Sequence, residues 1–181
     1  MVNFLRSQGV LALGSRLRAI SDQMFAQADE VYAARGSAMR ARWFPMLSLL
    51  AEKGPQTVTQ IAAQTNFSHP AIIALARKIE AQGWIENHKD PNDERRRVIA
   101  LSSLGRNEVA QLRPIWDRFQ VVAAEAVDHS GVDFLATLDR FEAELAQRPW
   151  SQVMAQQMPP KVEIIDYESR YQAQFEALNV E

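Results

Sequence analysis

Three consecutive arginines, Arg95, Arg96 and Arg97, follow the acidic pair Asp93 and Glu94 in the stretch DPNDERRRVIALSSLG, residues 90 to 105. Guanidinium groups offer a planar fork of donors that matches phosphate oxygens and enters a narrow, electronegative minor groove, so the cluster suits binding to a polyanion. A second set of hydrogen-bond donors, His69 with the cations Arg77 and Lys78, lies just upstream in SHPAIIALARKIEAQG, residues 68 to 83. No enzyme chemistry is visible beside them. The chain has no cysteine, which removes disulfides, thiol redox sensing and Cys-ligated zinc together. His69, His88 and His129 fall on separate predicted elements, and only His129 with Asp133 has an i, i+4 spacing suited to sharing a metal. One such pair arises readily by chance, and His129 is read instead as a capping or surface group in a turn. The sequence therefore offers no catalytic residue, no metal site and no cofactor.

Local signals show what positions the cations. Thr57 stands three residues before Gln60, the spacing of a capping box that opens a short helix with Ile61 and Ala62 facing inward. Asn66 and Phe67 break it, since Asn tolerates the left-handed conformation. Ser68 caps the next helix, and Pro70 falls in its first turn, where the missing N–H costs no intrahelical bond. Ile72, Leu75 and Ile79 form its buried stripe and Gly83 ends it, with Trp84 folding back on the last turn. The outward face carries His69, Pro70, Ala71, Ile73, Ala74, Arg77 and Lys78. Two strands follow, residues 84–88 and 98–101, joined through the turn residues Asp90, Pro91, Asn92 and Asp93. Two short helices and a charged hairpin make a unit in which the second helix fits a major groove and the hairpin acts as a wing.

At these residues the chain resembles the MarR family of winged helix-turn-helix regulators, over roughly residues 10–148 and most specifically in the wing. The resemblance implies a recognition helix over 68–83. It also implies a wing-tip Asp-x-Arg at Asp93 and Arg95, where the arginine reaches the minor groove and the aspartate orients it. Double-stranded DNA is the implied partner, with Thr57, Thr59, Ser68, His69, Pro70, Ala71, Ile73, Ala74, Arg77, Lys78, Asp93, Arg95, Arg96 and Arg97 as the DNA-binding set. Along the wing strand Arg96 and Arg97 alternate sides, so one contacts phosphate while the other pairs with Glu94 or Glu86. The chain departs from the family at Ile73 and Ala74, which touch a thymine methyl but make no hydrogen bonds. Specificity then leans on His69, Arg77 and DNA shape.

The 181 residues are 47% hydrophobic and 23% charged, an ordinary globular composition. The net charge of −2 hides an asymmetry: residues 1–106 hold 14 Lys and Arg against 9 Asp and Glu, and residues 107–181 hold 6 against 13. The basic part is the part that would meet phosphates. No apolar run approaches a membrane span, and Arg6, Ser7 and Gln8 interrupt what a secretory signal would need. A cytoplasmic location with no membrane partner is the expectation.

Flanking the winged unit, Leu13, Leu17, Ile20, Met24, Ala28 and Val31 recur at spacings of three and four, predicting a long amphipathic helix weakened at its start by Gly9 and Gly14. Arg42 to Pro45 open the next helix, whose Met46, Leu47, Leu50 and Ala51 continue the core until Gly54 and Pro55. Trp43 and Phe44 read as core residues. Ser102 caps a long helix with the seam Val109, Leu112, Trp116, Phe119, Val122 and Ala126, which Pro114 should kink. After a turn at 128–131, Leu135, Leu138, Phe141 and Leu145 mark a further helix ending near Pro149. These stripes exceed what one winged helix covers, so a homodimer with interlocked terminal helices is expected. The predicted fold is mainly α with a small β-hairpin wing. Its parts are an N-terminal dimerisation helix (1–36), the winged helix-turn-helix domain (37–102), C-terminal dimerisation helices (103–148) and a linker with tail (149–181).

In the tail, VEIIDY at 162–167 is strand-like, and residues 169–178 are helical with Tyr171, Phe175 and Leu178 on one face. This resembles the opening strand and helix of a GNAT acetyltransferase, and residues 42–50 resemble the MarR branch fused to such domains. An ordinary C-terminal arm docking on the dimer is the equal alternative. Family resemblance implies small-molecule effectors, with phenolic and other aromatic acids as the class, at residues the sequence leaves unknown.

Overall fold

The apolar spacings fold into helices at the expected places, in a computed structural model that describes residues 4–90 and 93–158 together with positions 172 and 177. The backbone of Asp90 and of residues 93–96 is described without their side chains. A short helix α1 (Phe4–Ser7) and a 3₁₀ turn (Gly9–Ala12) precede the long α2 (Leu13–Ala34). The chain then runs through α3 (Phe44–Lys53), β1 (Gln56–Thr57), α4 (Val58–Thr65), α5 (His69–Glu80), β2 (Ile85–Asp90), β3 (Asp93–Leu101), α6 (Ser103–Asp128), α7 (Phe134–Gln147) and α8 (Trp150–Gln157). It divides into two compact units, residues 1–121 and 122–181.

In the first unit the core draws on every element of the winged region. Met39, Met46, Leu47, Ile61, Ile72 and Ile79 are fully buried, and Leu50, Trp84, Ile85, Ile99, Leu101, Val109 and Leu112 close around them. Each such side chain contributes about 1.5–3 kcal/mol by leaving water. Trp43 packs edge-on against Trp84 with ring centroids 5.6 Å apart. Helix α2 is tied to the chain that leads into α3. Asp29 accepts a hydrogen bond from the Ala41 amide at 2.6 Å, and Arg42 pairs with Asp22 at 2.8 Å while lying over the Phe25 ring. Trp116 donates its indole N–H to the Tyr32 hydroxyl at 3.1 Å. Burial holds the Tyr32 phenol above its ordinary pKa, with Trp116 acting against the shift and Asp29 adding to it.

Four features differ from the sequence reading. The sheet has three antiparallel strands in the order β1-β3-β2, because Gln56 and Thr57 pair with Ile99 and Val98 before α4 begins. Two residues are too few to show a strand period, and the third strand is invisible to sequence pattern for that reason. The hairpin strands also run further into the charged stretch than the apolar residues suggest, with Lys89 opposite Arg97. Phe44 is a partly solvent-facing residue, 42% exposed, set edge-on against Trp116 at 4.9 Å, and it is not enclosed core. Its neighbour Trp43 is enclosed, as expected.

The fourth difference lies in the stretch read as linker and tail, whose first part, residues 150–157, is helix α8. In the second unit Asp133 caps α7 by accepting from the Ala136 amide at 3.0 Å, a structural use of the residue paired above with His129. Helix α6 continues through Pro114 as one element, and its seam thins along its length. Val109 and Leu112 are buried, Trp116 and Phe119 half-buried, and Val122 and Ala126 exposed. The strand and helix read at 162–178 fall outside the described residues apart from positions 172 and 177.

Candidate nucleic-acid interface

Helix α4 begins with a complete capping box. The Gln60 amide donates to Thr57 Oγ1 at 3.2 Å, and the Thr57 amide donates to Gln60 Oε1 at 2.8 Å. Asn66 ends it at φ 56°, the left-handed geometry Asn accepts best after Gly. The chain re-enters a helix two residues later, with Ser68 Oγ accepting from the Ala71 amide and Pro70 in the first turn. Such a tight pair of helices holds the second at a fixed angle on the first, the arrangement a reading helix needs.

Helix α5 buries Ile72, Ala76 and Ile79 along one side. His69, Pro70, Ala71, Ile73, Ala74, Arg77 and Lys78 are all exposed on the rest of its surface. No acidic residue lies between Ser68 and Ile79; Arg77 and Lys78 occupy the last turn, and Glu80, which ends the helix, has its carboxylate engaged by Asn87. Twelve residues at about 1.5 Å each give a rod of about 18 Å, short enough to lie in a major groove.

The wing joins this helix at a rigid corner. Gly83, at φ 74°, lets the chain reverse so that the Trp84 amide donates back to Ile79 O at 3.3 Å. Ser102 then closes the base of the hairpin. Its amide donates to Trp84 O at 3.0 Å, its hydroxyl donates to Gly83 O at 2.6 Å, and its Oγ accepts from the Gly105 amide at 2.9 Å. A side chain at Gly105 would collide with the Trp84 carbonyl, so the first turn of α6 packs backbone against backbone on this corner. Asn87 on β2 donates to Glu80 on α5 at 2.8 Å, bracing the strand against the helix end. Nothing in the sequence spacing pointed to this brace.

The residues read from sequence as DNA-binding are therefore placed as follows. Seven of them form the exposed surface of α5, with Ser68 at its cap and Thr59 exposed on α4. Arg97 is exposed on β3 opposite Lys89. The backbone positions of Asp93, Arg95 and Arg96 lie on β3 towards the hairpin end, and their side chains are outside the description. Thr57 stands apart, since it is 8% exposed and its hydroxyl is engaged in the α4 cap and on Gln60. Glu86 lies 3.1 Å from His88 on the same side of β2.

Beside the C-terminal half of α5 is an open cleft of about 520 Å³ lined by Arg40, Arg42 and Lys78 together with Trp43 and Leu75. Among the described residues no cluster of three His, Asp or Glu could hold a metal, and no helix is long and apolar enough to cross a membrane.

Known proteins match this region. Residues 39–96 fit the model of the MarR family. The uncharacterised HTH-type transcriptional regulator YcgE of Bacillus subtilis is 34% identical over 68 residues, which are 37% of this chain and 44% of that protein. The match thus spans less than half the length of that curated relative. Among solved structures, S. aureus MepR in a complex with DNA is 22% identical with a TM-score of 0.62, covering 74% of this chain and 97% of that one. A mutant MarR from E. coli complexed with operator DNA is 17% identical with a TM-score of 0.61, covering 80% and 99%. A MarR/EmrR family regulator from Acinetobacter sp. ADP1 is 14% identical with a TM-score of 0.63, covering 81% and 100%. The fold is that of the MarR-type winged helix-turn-helix proteins.

Proposed function

We propose that the chain is a MarR-type transcriptional regulator that binds double-stranded DNA in a sequence-specific manner as a homodimer and responds to a small-molecule effector. The observation that carries this is the exposed surface of α5 from His69 to Lys78, which holds no acidic residue and carries Arg77 and Lys78, braced through Glu80 against a hairpin whose strand β3 bears Arg95, Arg96 and Arg97. A helix so presented enters the major groove, and the arginine-rich hairpin reaches the adjacent minor groove. The match of residues 39–96 to the MarR family and the DNA-bound fold relatives support the same reading.

Dimerisation is supported by apolar side chains that the single chain leaves in water. Leu17, Ile20, Met24 and Val31 on α2 are 37–58% exposed, an aliphatic stripe three turns and more in length. Burial against a second copy removes that stripe from water and sets two α5 helices on half-sites about 34–36 Å apart. The effector site is proposed to be the cleft beside α5, where Arg40 and Lys78 offer charge to a carboxylate opposite Asp29. An effector acts here by favouring one spacing of the reading helices over another, which requires different affinity for the two. The narrower placement on the branch fused to GNAT acetyltransferases rests on residues 42–50 and 162–181 and finds no support in the matches to known proteins.

The test is duplex binding as a function of salt, with the DNA flanking the protein's own gene beside a scrambled duplex of equal length. Tight binding that prefers the native sequence and weakens by roughly 0.9 log units per log unit of salt for each phosphate contacted is the expected result. Weak binding, equal for both duplexes at moderate salt, would overturn the proposal.

A further inference from the structure

We infer that α5 selects its operator largely through thymine methyl groups, with Ile73 as the residue that sets base preference and Arg77 as a guanine reader about two base pairs away. The inference rests on the DNA-binding reading above and specifies its chemistry. Between His69 and Arg77 the exposed surface of α5 carries Pro70, Ala71, Ile73 and Ala74, none with a side-chain hydrogen-bond donor or acceptor. Ile73 is 43% exposed, although its neighbour Ile72 and the later Ile79 are both wholly enclosed. The core is thus complete without it, and a large aliphatic side chain remains in solvent at the centre of a surface bounded by His69, Arg77 and Lys78.

The charges of Arg77 and Lys78 fix what the surface fits. An apolar centre bordered by Arg77 and Lys78, with the carboxylate of Glu80 held by Asn87 at the helix end, complements the major groove of duplex DNA, where phosphates line the rims and thymine alone presents a methyl group at the floor. The β-branched Ile73 is held to essentially one χ1 rotamer by its helix, so placing its methyl groups costs little entropy. Discrimination comes from both directions. A thymine opposite Ile73 buries methyl on methyl, whereas cytosine or guanine would bury N4 or O6 against carbon with no partner, and an unpaired buried polar group is penalised.

Ile73 and Arg77 are four residues apart, about 6 Å along the helix, and stacked base pairs rise about 3.4 Å. With α5 lying along the groove, the Arg77 guanidinium reaches the O6 and N7 of a guanine about two base pairs from the thymine that Ile73 contacts.

Selection of bound duplexes from a pool with a randomised core, followed by replacement of single thymines by uracil in the selected sequence, tests this. Uracil keeps every Watson–Crick group and loses only the methyl. The expected result is a half-site with one or two fixed thymines and a guanine about two base pairs away. Uracil at a contacted thymine should weaken binding about four-fold, equivalent to about 0.8 kcal/mol, and uracil outside the half-site should change nothing. In the Ile73→Ala protein, whose exposed position leaves the fold intact, that uracil penalty should fall towards one-fold. Tight selection of half-sites without fixed thymine, or equal binding of thymine and uracil duplexes, overturns the inference while leaving the regulator reading in place. Failure to select any duplex removes the regulator reading itself.

Discussion

The corner where α5, the wing and α6 meet has no room for a side chain at Gly105, whereas Gly14 in α2 faces open space, and the pair gives a sharp test of the packing. Gly105 lies in the first turn of α6. An added Cβ would collide with the Trp84 carbonyl oxygen and stand 2.7 Å from its carbon, against a relaxed carbon–carbon separation of about 3.5–4.0 Å. Both atoms belong to backbone, so relief needs a shift of about 1 Å between α6 and the hairpin base. Overpacking of this kind costs about 1–3 kcal/mol. The shift also strains the Ser102 amide bond to Trp84 O and the Ser102 hydroxyl bond to Gly83 O, each worth about 1 kcal/mol. Against this stands at most about 1 kcal/mol from the better helix propensity of Ala. Gly105→Ala should therefore lose about 2–4 kcal/mol, or a fall in melting temperature of about 4–16 °C for a chain of this size. Gly14, in the first turn of α2, has nothing within 4 Å of an added Cβ, so Gly14→Ala should gain up to about 1 kcal/mol. Urea unfolding followed by tryptophan fluorescence, at one protein concentration for all variants, measures both. The reasoning is refuted if the two substitutions shift stability in the same direction, or if Gly105→Ala lies within about 0.5 kcal/mol of the parent.

Other perturbations separate roles that the sequence alone runs together. Thr57→Ala should cost about 1 kcal/mol of stability through loss of the α4 cap and leave the DNA affinity of the folded protein unchanged; an equal loss of affinity for operator and scrambled duplexes would make Thr57 a phosphate contact after all. Arg77→Ala should cost about 1–3 kcal/mol of affinity for the selected operator and much less for a scrambled duplex, measured by fluorescence anisotropy. Arg95→Ala should weaken both duplexes and make the salt slope shallower by about 0.9 if it neutralises one phosphate, and an unchanged slope would remove it from the backbone contacts. Met24→Glu, on the exposed stripe of α2, should leave helicity intact and shift sedimentation from dimer to monomer; a dimer unchanged at micromolar concentration would remove α2 from the interface.

Much of the winged region was legible because its signals are local and obey stereochemistry. The capping box at Thr57 and Gln60, the left-handed Asn66, the Ser68 cap, the Gly83 reversal and the Ser102 cap each follow from one residue type in one position, and each is in place. The exposed surface of α5 followed from the 3.6-residue period once Ile72 and Ile79 were assigned inward. What the sequence did not announce are features made by chain crossings. The β1 pairing depends on β3 arriving beside Gln56 from forty residues away, and the Glu80 to Asn87 brace depends on the angle of the hairpin. Phe44 was read as core because an aromatic at helical spacing usually is, yet only its neighbour Trp43 faces the wing.

Exposed apolar side chains in this chain carry two different meanings, and company distinguishes them. Leu17, Ile20, Met24 and Val31 recur on one stripe of α2. A stripe of this length stays in water only at a cost that a second copy would remove, which is why it is proposed as the dimer interface. Ile73 stands alone on α5 among cations, and no apolar partner could cover it without also burying Arg77 and Lys78. Unpaired charges in such a contact cost more than the methyl groups contribute, so the occupant must bring both negative charge and an apolar spot. Duplex DNA with thymine in its major groove has both, and the same physical rule supports the proposal of a second copy for α2 and of a nucleic acid for α5.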